Sequence, residues 1–183
     1  MVNHMRVISG TARGRKLKEP AGYDIRPTGS TVKESIFNII QFDIEGRRVL
    51  DLFSGTGQLG VEALSRGAES VVFIDQSNDA SKLIWENIRR CGFEESVKVY
   101  TRDALRFLSG EEKYDLIFLD PPYDSKLAEM ALNRIFEFDK LNVNGIIMCE
   151  TKGDWNAPGV LPPYFLAKEF AYGSVKITRF GRE

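Results

Sequence analysis

The chain has almost none of the residues that build metal centres or covalent cross-links. Its 183 residues include two cysteines and one histidine. Cys91 and Cys149 stand far apart and His4 lies near the start, so no zinc-type ligand spacing occurs and both thiols read as reduced core residues. Long apolar runs are missing too: nothing approaches the roughly 18 residues of a membrane span. The N-terminus carries no signal-like hydrophobic stretch, and no tract is repetitive or of low complexity. These absences predict a metal-free, cytoplasmic protein with no membrane association. Its length suits one domain able to bury a substantial core. Met5 reads as the natural start, with residues 1–4 as a non-native remnant ahead of it.

An excess of one charge is also missing, because the formal net charge is −1. The distribution says more than the total. Residues 1–33 hold Arg6, Arg13, Arg15, Lys16, Lys18, Arg26 and Lys33 against Glu19 and Asp24, a net +5. The remainder is therefore acidic, at −6. A basic end on an acidic body predicts contact with a polyanion, with Arg6, Arg13, Arg15, Lys16, Lys18 and Arg26 as candidate contacts. A solvated terminus would show the same charges. We divide the chain at this shift, into a basic arm over residues 1–29 and a main domain over residues 30–183.

What the chain does contain is a set of short apolar runs that each end in a carboxylate. Tyr114-Asp115-Leu116-Ile117-Phe118-Leu119 reads as a buried parallel strand, and Asp120-Pro121-Pro122-Tyr123 follows it. Open α/β sheets place their ligands at this end of a strand. The four residues suit the capture of a planar base by its exocyclic amine. The Asp120 carboxylate and the Pro121 carbonyl can accept the two amine hydrogens and tilt the nitrogen lone pair out of the ring plane. Pro121 and Pro122 restrict the backbone, and Tyr123 can stack on the base, an interaction of roughly 1–3 kcal/mol. A plain proline turn at a strand end uses the same residues.

A second motif lies upstream. Arg48-Val49-Leu50-Asp51-Leu52-Phe53 reads as a strand, Ser54-Gly55-Thr56-Gly57-Gln58-Leu59-Gly60 as a glycine loop, and Val61 to Arg66 as a helix stopped by Gly67. The glycine spacing, with Asp75 twenty residues after Gly55, satisfies the dinucleotide fingerprint formally. Asp51 argues for a different ligand, since a carboxylate beneath the loop repels phosphate but pairs with an ammonium. S-adenosylmethionine (AdoMet) carries one, and its carboxylate can rest on the following helix N-terminus. Asp75 ends Ser70–Asp75 and is placed for ribose hydroxyls. Asp103 follows Val97–Thr101 and is placed for the adenine amine, with the Ala104 N–H for a ring nitrogen; Asp103 equally suits a helix N-cap. Phe53, Ser54, Gly55, Gly57 and Gln76 complete the predicted cofactor contacts.

The remaining pattern sets the architecture. Met5–Gly10 and Arg15–Lys18 predict a basic hairpin or extended arm. A helix from Ser30 is expected, capped by Ser30 or Thr31, with Glu34 in a capping box. A second helix follows Ser77, from Asn78 to Arg90, with Trp85 on its core face. A third runs from Ser125 to Phe138. Gly145–Glu150 is a fifth strand, and Leu166–Tyr172 with Ser174–Phe180 form a hairpin about Gly173. Five βα repeats closed by a hairpin predict a doubly wound sheet of seven strands, one of them antiparallel. The cofactor strand and the proline-motif strand would then be neighbours.

With these residues in place, the chain resembles the RsmD family of bacterial 16S ribosomal RNA guanine-N2 methyltransferases. The likeness runs from Met5 over nearly the whole chain. It includes Arg6–Gly10, Gly14–Leu17, Arg26-Pro27-Thr28, Val32–Asn38, Asp51–Gly60, Glu62–Ala68 and Asp120–Tyr123. Asp75 stands where many members have glutamate, and Thr31 where arginine is frequent. The resemblance implies a Rossmann-like class I AdoMet-dependent methyltransferase fold and AdoMet as donor. It further implies a guanine 2-amino group as acceptor and an arm that touches RNA. The implied partner is 16S rRNA, a 30S subunit or an assembly intermediate, without an obligatory protein partner. An adenine-amino methyltransferase, a nicotinamide-dependent oxidoreductase and a silent RNA-binding relative are the competing readings.

Overall fold

The computed structural model describes residues 5–20, 29–123 and 126–183, and these form one seven-stranded sheet with helices on both faces. The strands are β1 (Arg48–Leu52), β2 (Ser70–Asp75), β3 (Val97–Thr101), β4 (Tyr114–Leu119), β5 (Leu141–Lys152), β6 (Tyr164–Tyr172) and β7 (Val175–Arg182). Their spatial order is β3-β2-β1-β4-β5-β7-β6. The first five pair in parallel, β7 is antiparallel to β5, and β6 is antiparallel to β7. One strand, β7, therefore runs against the other six, as expected. The order reverses between β1 and β4, and their ends lie side by side with Leu52 opposite Leu119.

Apolar residues alternate across the sheet into two cores. Phe73, Phe118 and Met148 pack with Phe37 and Ile40 and with helices α2 (Gln58–Ser65) and α3 (Asn78–Cys91). Leu50, Ile74, Leu119 and Cys149 face the other way, toward helices α4 (Ala104–Phe107) and α5 (Leu127–Glu137). Trp85 is half-buried against the first core, with the Arg89 guanidinium 5.7 Å from its ring.

Some element ends differ from expectation. Helix α1 spans Ser30–Ile39, and Gly29 takes the N-cap position in an extended conformation. Thr31 therefore lies inside the first turn, too late to form the capping box with Glu34, and its carbonyl instead accepts from the Ser35 hydroxyl. Ser77 caps α3 as expected, accepting from the Ala80 N–H. The strand predicted from Gly145 begins four residues earlier, where pairing with β4 shifts register. The hairpin turn is tight, with Tyr172 opposite Val175 and Gly173 at φ 59°. The predicted helix start at Ser125 and the Arg26-Pro27-Thr28 stretch lie outside the described residues.

Residues 5–18 form a hairpin joined by an Arg6–Lys16 bridge, and it packs firmly on the domain. Val7, Ala12 and Leu17 are buried in the first core, while Arg6, Arg13, Arg15, Lys16 and Lys18 face solvent. Gly10 has φ 83°, and a Cβ there would sit 1.6 Å from the Ser65 carbonyl oxygen. The backbone can cross the end of α2 only without a side chain at that point. Beneath it lies Glu62, 0% exposed. Its carboxylate accepts from the Ile8 and Ser9 N–H groups at 2.8 and 2.9 Å and pairs with Arg66 and Lys33 at 2.9 and 3.2 Å. Lys33 in turn donates to the Arg6 carbonyl. Removing Glu62 takes the counter-charge from the buried Lys33 and leaves the Ile8 and Ser9 N–H groups without their acceptor. Glu62→Ala should cost about 3–5 kcal/mol in urea unfolding; a cost within measurement error would show that the hairpin does not depend on this carboxylate.

Candidate functional site

Strands β1 to β5 all end at one edge of the sheet, and each brings a carboxylate there. Asp51, one residue from the end of β1, is 1% exposed. Its Oδ2 accepts from the Gly60 N–H at 3.0 Å, in the first turn of α2. Burial raises its pKa well above the ordinary carboxylate range, and the nearby Asp120 and Asp75 charges push the same way against that one hydrogen bond. Helix α2 reaches the sheet because position 60 lacks a side chain: a Cβ there would lie 2.2 Å from the Phe73 ring.

The glycine loop is tightly fastened. Phe53 adopts φ 57°, a conformation that costs a non-glycine residue about 1–3 kcal/mol and clusters at functional sites. The Ser54 hydroxyl donates to the Asp51 carbonyl at 2.6 Å and accepts from the Ile74 N–H at 3.0 Å, so it joins β1 to β2. Gly55 and Gly57 hold positive φ. The Gly55 N–H donates to Asp75 Oδ2 and the Ser77 N–H to Oδ1, both at 2.9 Å. Asp75 therefore bridges the loop and the start of α3. Gln76 is exposed beside it. Asp103 caps α4 by accepting from the Arg106 N–H at 2.9 Å, with Ala104 buried next to it. The cap and a ligand contact are compatible, since only one oxygen is engaged by that bond.

The proline motif lies beside Asp51, across the β1–β4 pair. Pro121 is buried, Pro122 exposed, and Asp120 and Tyr123 half-buried. The Tyr123 hydroxyl donates to Oε1 of Glu150, a buried residue near the end of β5. Glu150 was visible in the sequence only as a strand residue. Its signal is the one that marks Asp51 and Asp75, a carboxylate closing an apolar run.

Asn87 is a second residue that pattern reading missed. This 0% exposed side chain accepts from the Lys18 N–H at 2.6 Å and donates to the Lys18 carbonyl at 3.2 Å and the Thr56 carbonyl at 2.9 Å. One side chain thus joins the basic hairpin to the glycine loop. A lone asparagine on an amphipathic helix carries no sequence signal of that role. Of the predicted polyanion contacts, Arg6, Arg13, Arg15, Lys16 and Lys18 share the exposed side of the hairpin and its extension, and Arg26 lies outside the described residues. Among the described residues no group of three or more His, Cys, Asp or Glu side chains is arranged to hold a metal, and no helix is long and apolar enough to cross a membrane.

The family model for Conserved hypothetical protein 95 matches residues 5–181. The chain is 39% identical to YlbH of Bacillus subtilis over 173 residues, which cover 92% of this chain and 94% of that one. It is 36% identical to ribosomal RNA small subunit methyltransferase D of Haemophilus influenzae over 177 residues, covering 93% and 90%. The solved structure of yhhF from Escherichia coli is similar with a TM-score of 0.89 and 29% identity, over 99% of both chains.

The state of Asp51 can be read from stability. A carboxyl with a raised folded-state pKa binds its proton more tightly in the native state. Its contribution is complete below the unfolded value near 3.9 and is lost as pH rises toward the folded value. Asp51→Asn removes that titration. Its unfolding free energy relative to wild type should climb with pH, by up to about 1.4 kcal/mol per unit, between the unfolded and folded values. A pH-independent difference would mean that folding does not raise the Asp51 pKa.

Proposed function

This chain belongs to the Conserved hypothetical protein 95 family, that of ribosomal RNA small subunit methyltransferase D, and on that premise we propose a specific reaction for it. It transfers a methyl group from AdoMet to the exocyclic 2-amino group of a guanine in 16S rRNA of the small ribosomal subunit. The observation that carries this reading is the adjacency of Asp51 and Asp120 on neighbouring strand ends, one placed for a cationic donor and the other for an amine.

The residues present fit the donor. Asp51 is a buried carboxylate crowded by Asp75 and Asp120, a setting relieved by a cation and aggravated by a phosphate. Asp51 would hold the ammonium of the methionine moiety, Asp75 the ribose hydroxyls, and Asp103 with the Ala104 N–H the adenine edge. Phe53, Ser54, Gly55, Gly57 and Gln76 would line the intervening path. The bound donor supplies an electrophilic methyl group on a positively charged sulfur.

The chain's own residues then act on the acceptor. Asp120 and the Pro121 carbonyl accept the two amine hydrogens and point the lone pair toward the methyl group, so that positioning supplies much of the acceleration. Asp120 also stabilises the positive charge that grows on nitrogen before a proton leaves. Tyr123 stacks on the base, which must be unpaired or flipped out for its amine to be reached. Arg6, Arg13, Arg15, Lys16 and Lys18, with Arg26, contact phosphates of an RNA whose capture weakens as salt rises.

Incubation with radiolabelled AdoMet and undermethylated 30S subunits, followed by nucleoside digestion, tests the reaction. Label is expected in N2-methylguanosine, and label in adenine would overturn the assignment. Asp120→Ala should lower kcat on the order of 10²–10³-fold, by analogy with loss of one oxyanion-hole group, while AdoMet affinity stays near wild type.

A further inference from the structure

The motif residue with the least obvious support is Tyr123. It sits in the loop after β4, and a ring in a loop is free to turn about its side-chain bonds unless something holds its far end. The structure provides a holder. Strands β4 and β5 are paired in register with Leu119 opposite Cys149, so the next residues, Asp120 and Glu150, come side by side. Strand β5 is also paired on its other edge, with Glu150 opposite Ile177 of β7. The backbone of Glu150 is therefore fixed from both sides, and its side chain is 3% exposed. The Tyr123 hydroxyl donates to its Oε1. Asp120 and Glu150 both act on the buried Cys149 thiol, which fits their placement at one spot of the sheet edge.

We propose that Glu150 is the positioning residue of the Asp120–Tyr123 motif, holding the Tyr123 hydroxyl so that the ring is set at one angle against the target base. A hydrogen bond from a phenol to a carboxylate is charge-assisted and roughly twice as strong as a neutral one. The two prolines restrict the near end of the segment and Glu150 fixes the far end of the ring. Ring and amine-binding groups then move as one unit with the sheet. Glu150 is too buried to touch the base, so it acts through Tyr123. The inference rests on the reading that Tyr123 stacks on the acceptor base.

The test is a double-mutant cycle on Tyr123→Phe and Glu150→Ala, with Glu150→Gln as the conservative variant. Each single change should lower kcat roughly 10–100-fold, the scale of a small misplacement of reacting groups. KM for 30S subunits should change less than kcat, and AdoMet affinity should hold. The double variant should be no worse than the worse single, because both remove one interaction. Glu150→Gln keeps an acceptor oxygen at the same reach and should recover most of kcat. Effects that multiply, or full kcat in Glu150→Ala, would overturn the proposal. Urea unfolding of the same four proteins reads the coupling without any substrate. If wild type methylates another base, the functional reading fails while this coupling is still measured. Coupling in stability with no loss of kcat would make the bond structural only and would equally overturn the proposal.

Discussion

The approach of helix α2 to the sheet is the constraint on which the site depends. Gly60 has no side chain to strike Phe73, so the first turn of α2 settles close enough for its N–H to reach Asp51. That one bond partly offsets the burial of a carboxylate within an apolar strand end. It also fixes the span of chain between Asp51 and Gly60, where Phe53 is held at positive φ and Ser54 is joined to β2. Loop, helix start and strand ends are thereby one rigid body. Asp75 completes it by accepting from both the loop and the start of α3.

The same packing decides what the edge can bind. The charges of Asp120 and Asp75 add to burial in raising the cost of ionising Asp51, a setting that favours a cation over a phosphate. A dinucleotide site with the same glycine spacing needs the opposite field. Arg6, Arg13, Arg15, Lys16 and Lys18 lie exposed on the hairpin of residues 5–18. Glu62 and Asn87 grip that hairpin by its backbone, which leaves the arginine and lysine side chains outward. A protein with a net charge of −1 can in this way gather exposed basic side chains on one segment.

Much of this was legible in the residues. Apolar runs ending in Asp51, Asp75 and Asp120 located three strand ends, and the glycine pattern located the loop. The parallel order followed from the βα alternation, because parallel strands need crossovers. What escaped pattern reading was tertiary. Glu150, Asn87 and Glu62 act on partners 27 or more residues away; Glu150 closes an apolar run as Asp51 and Asp75 do, but nothing local distinguishes Asn87 and Glu62 from ordinary helix residues. The cap of α1 lies one or two residues before the expected Ser30 or Thr31, because glycine too is an acceptable cap. The arm was expected to be basic, but its buried side of Val7, Ala12 and Leu17 is too short a pattern to announce docking.

The central claim is that Asp51 is a buried carboxyl whose charge is called up by the ammonium of AdoMet. Calorimetric titration with AdoMet in buffers of different ionisation enthalpy counts the protons exchanged on binding. Below about pH 7 the ligand's own amine stays protonated, so Asp51 is the group exposed by the count. The account predicts that binding releases a proton at acid pH, that affinity rises with pH and then levels, and that Asp51→Asn abolishes both effects. Binding by wild type without proton release at any pH, or an unchanged release in Asp51→Asn, would contradict it.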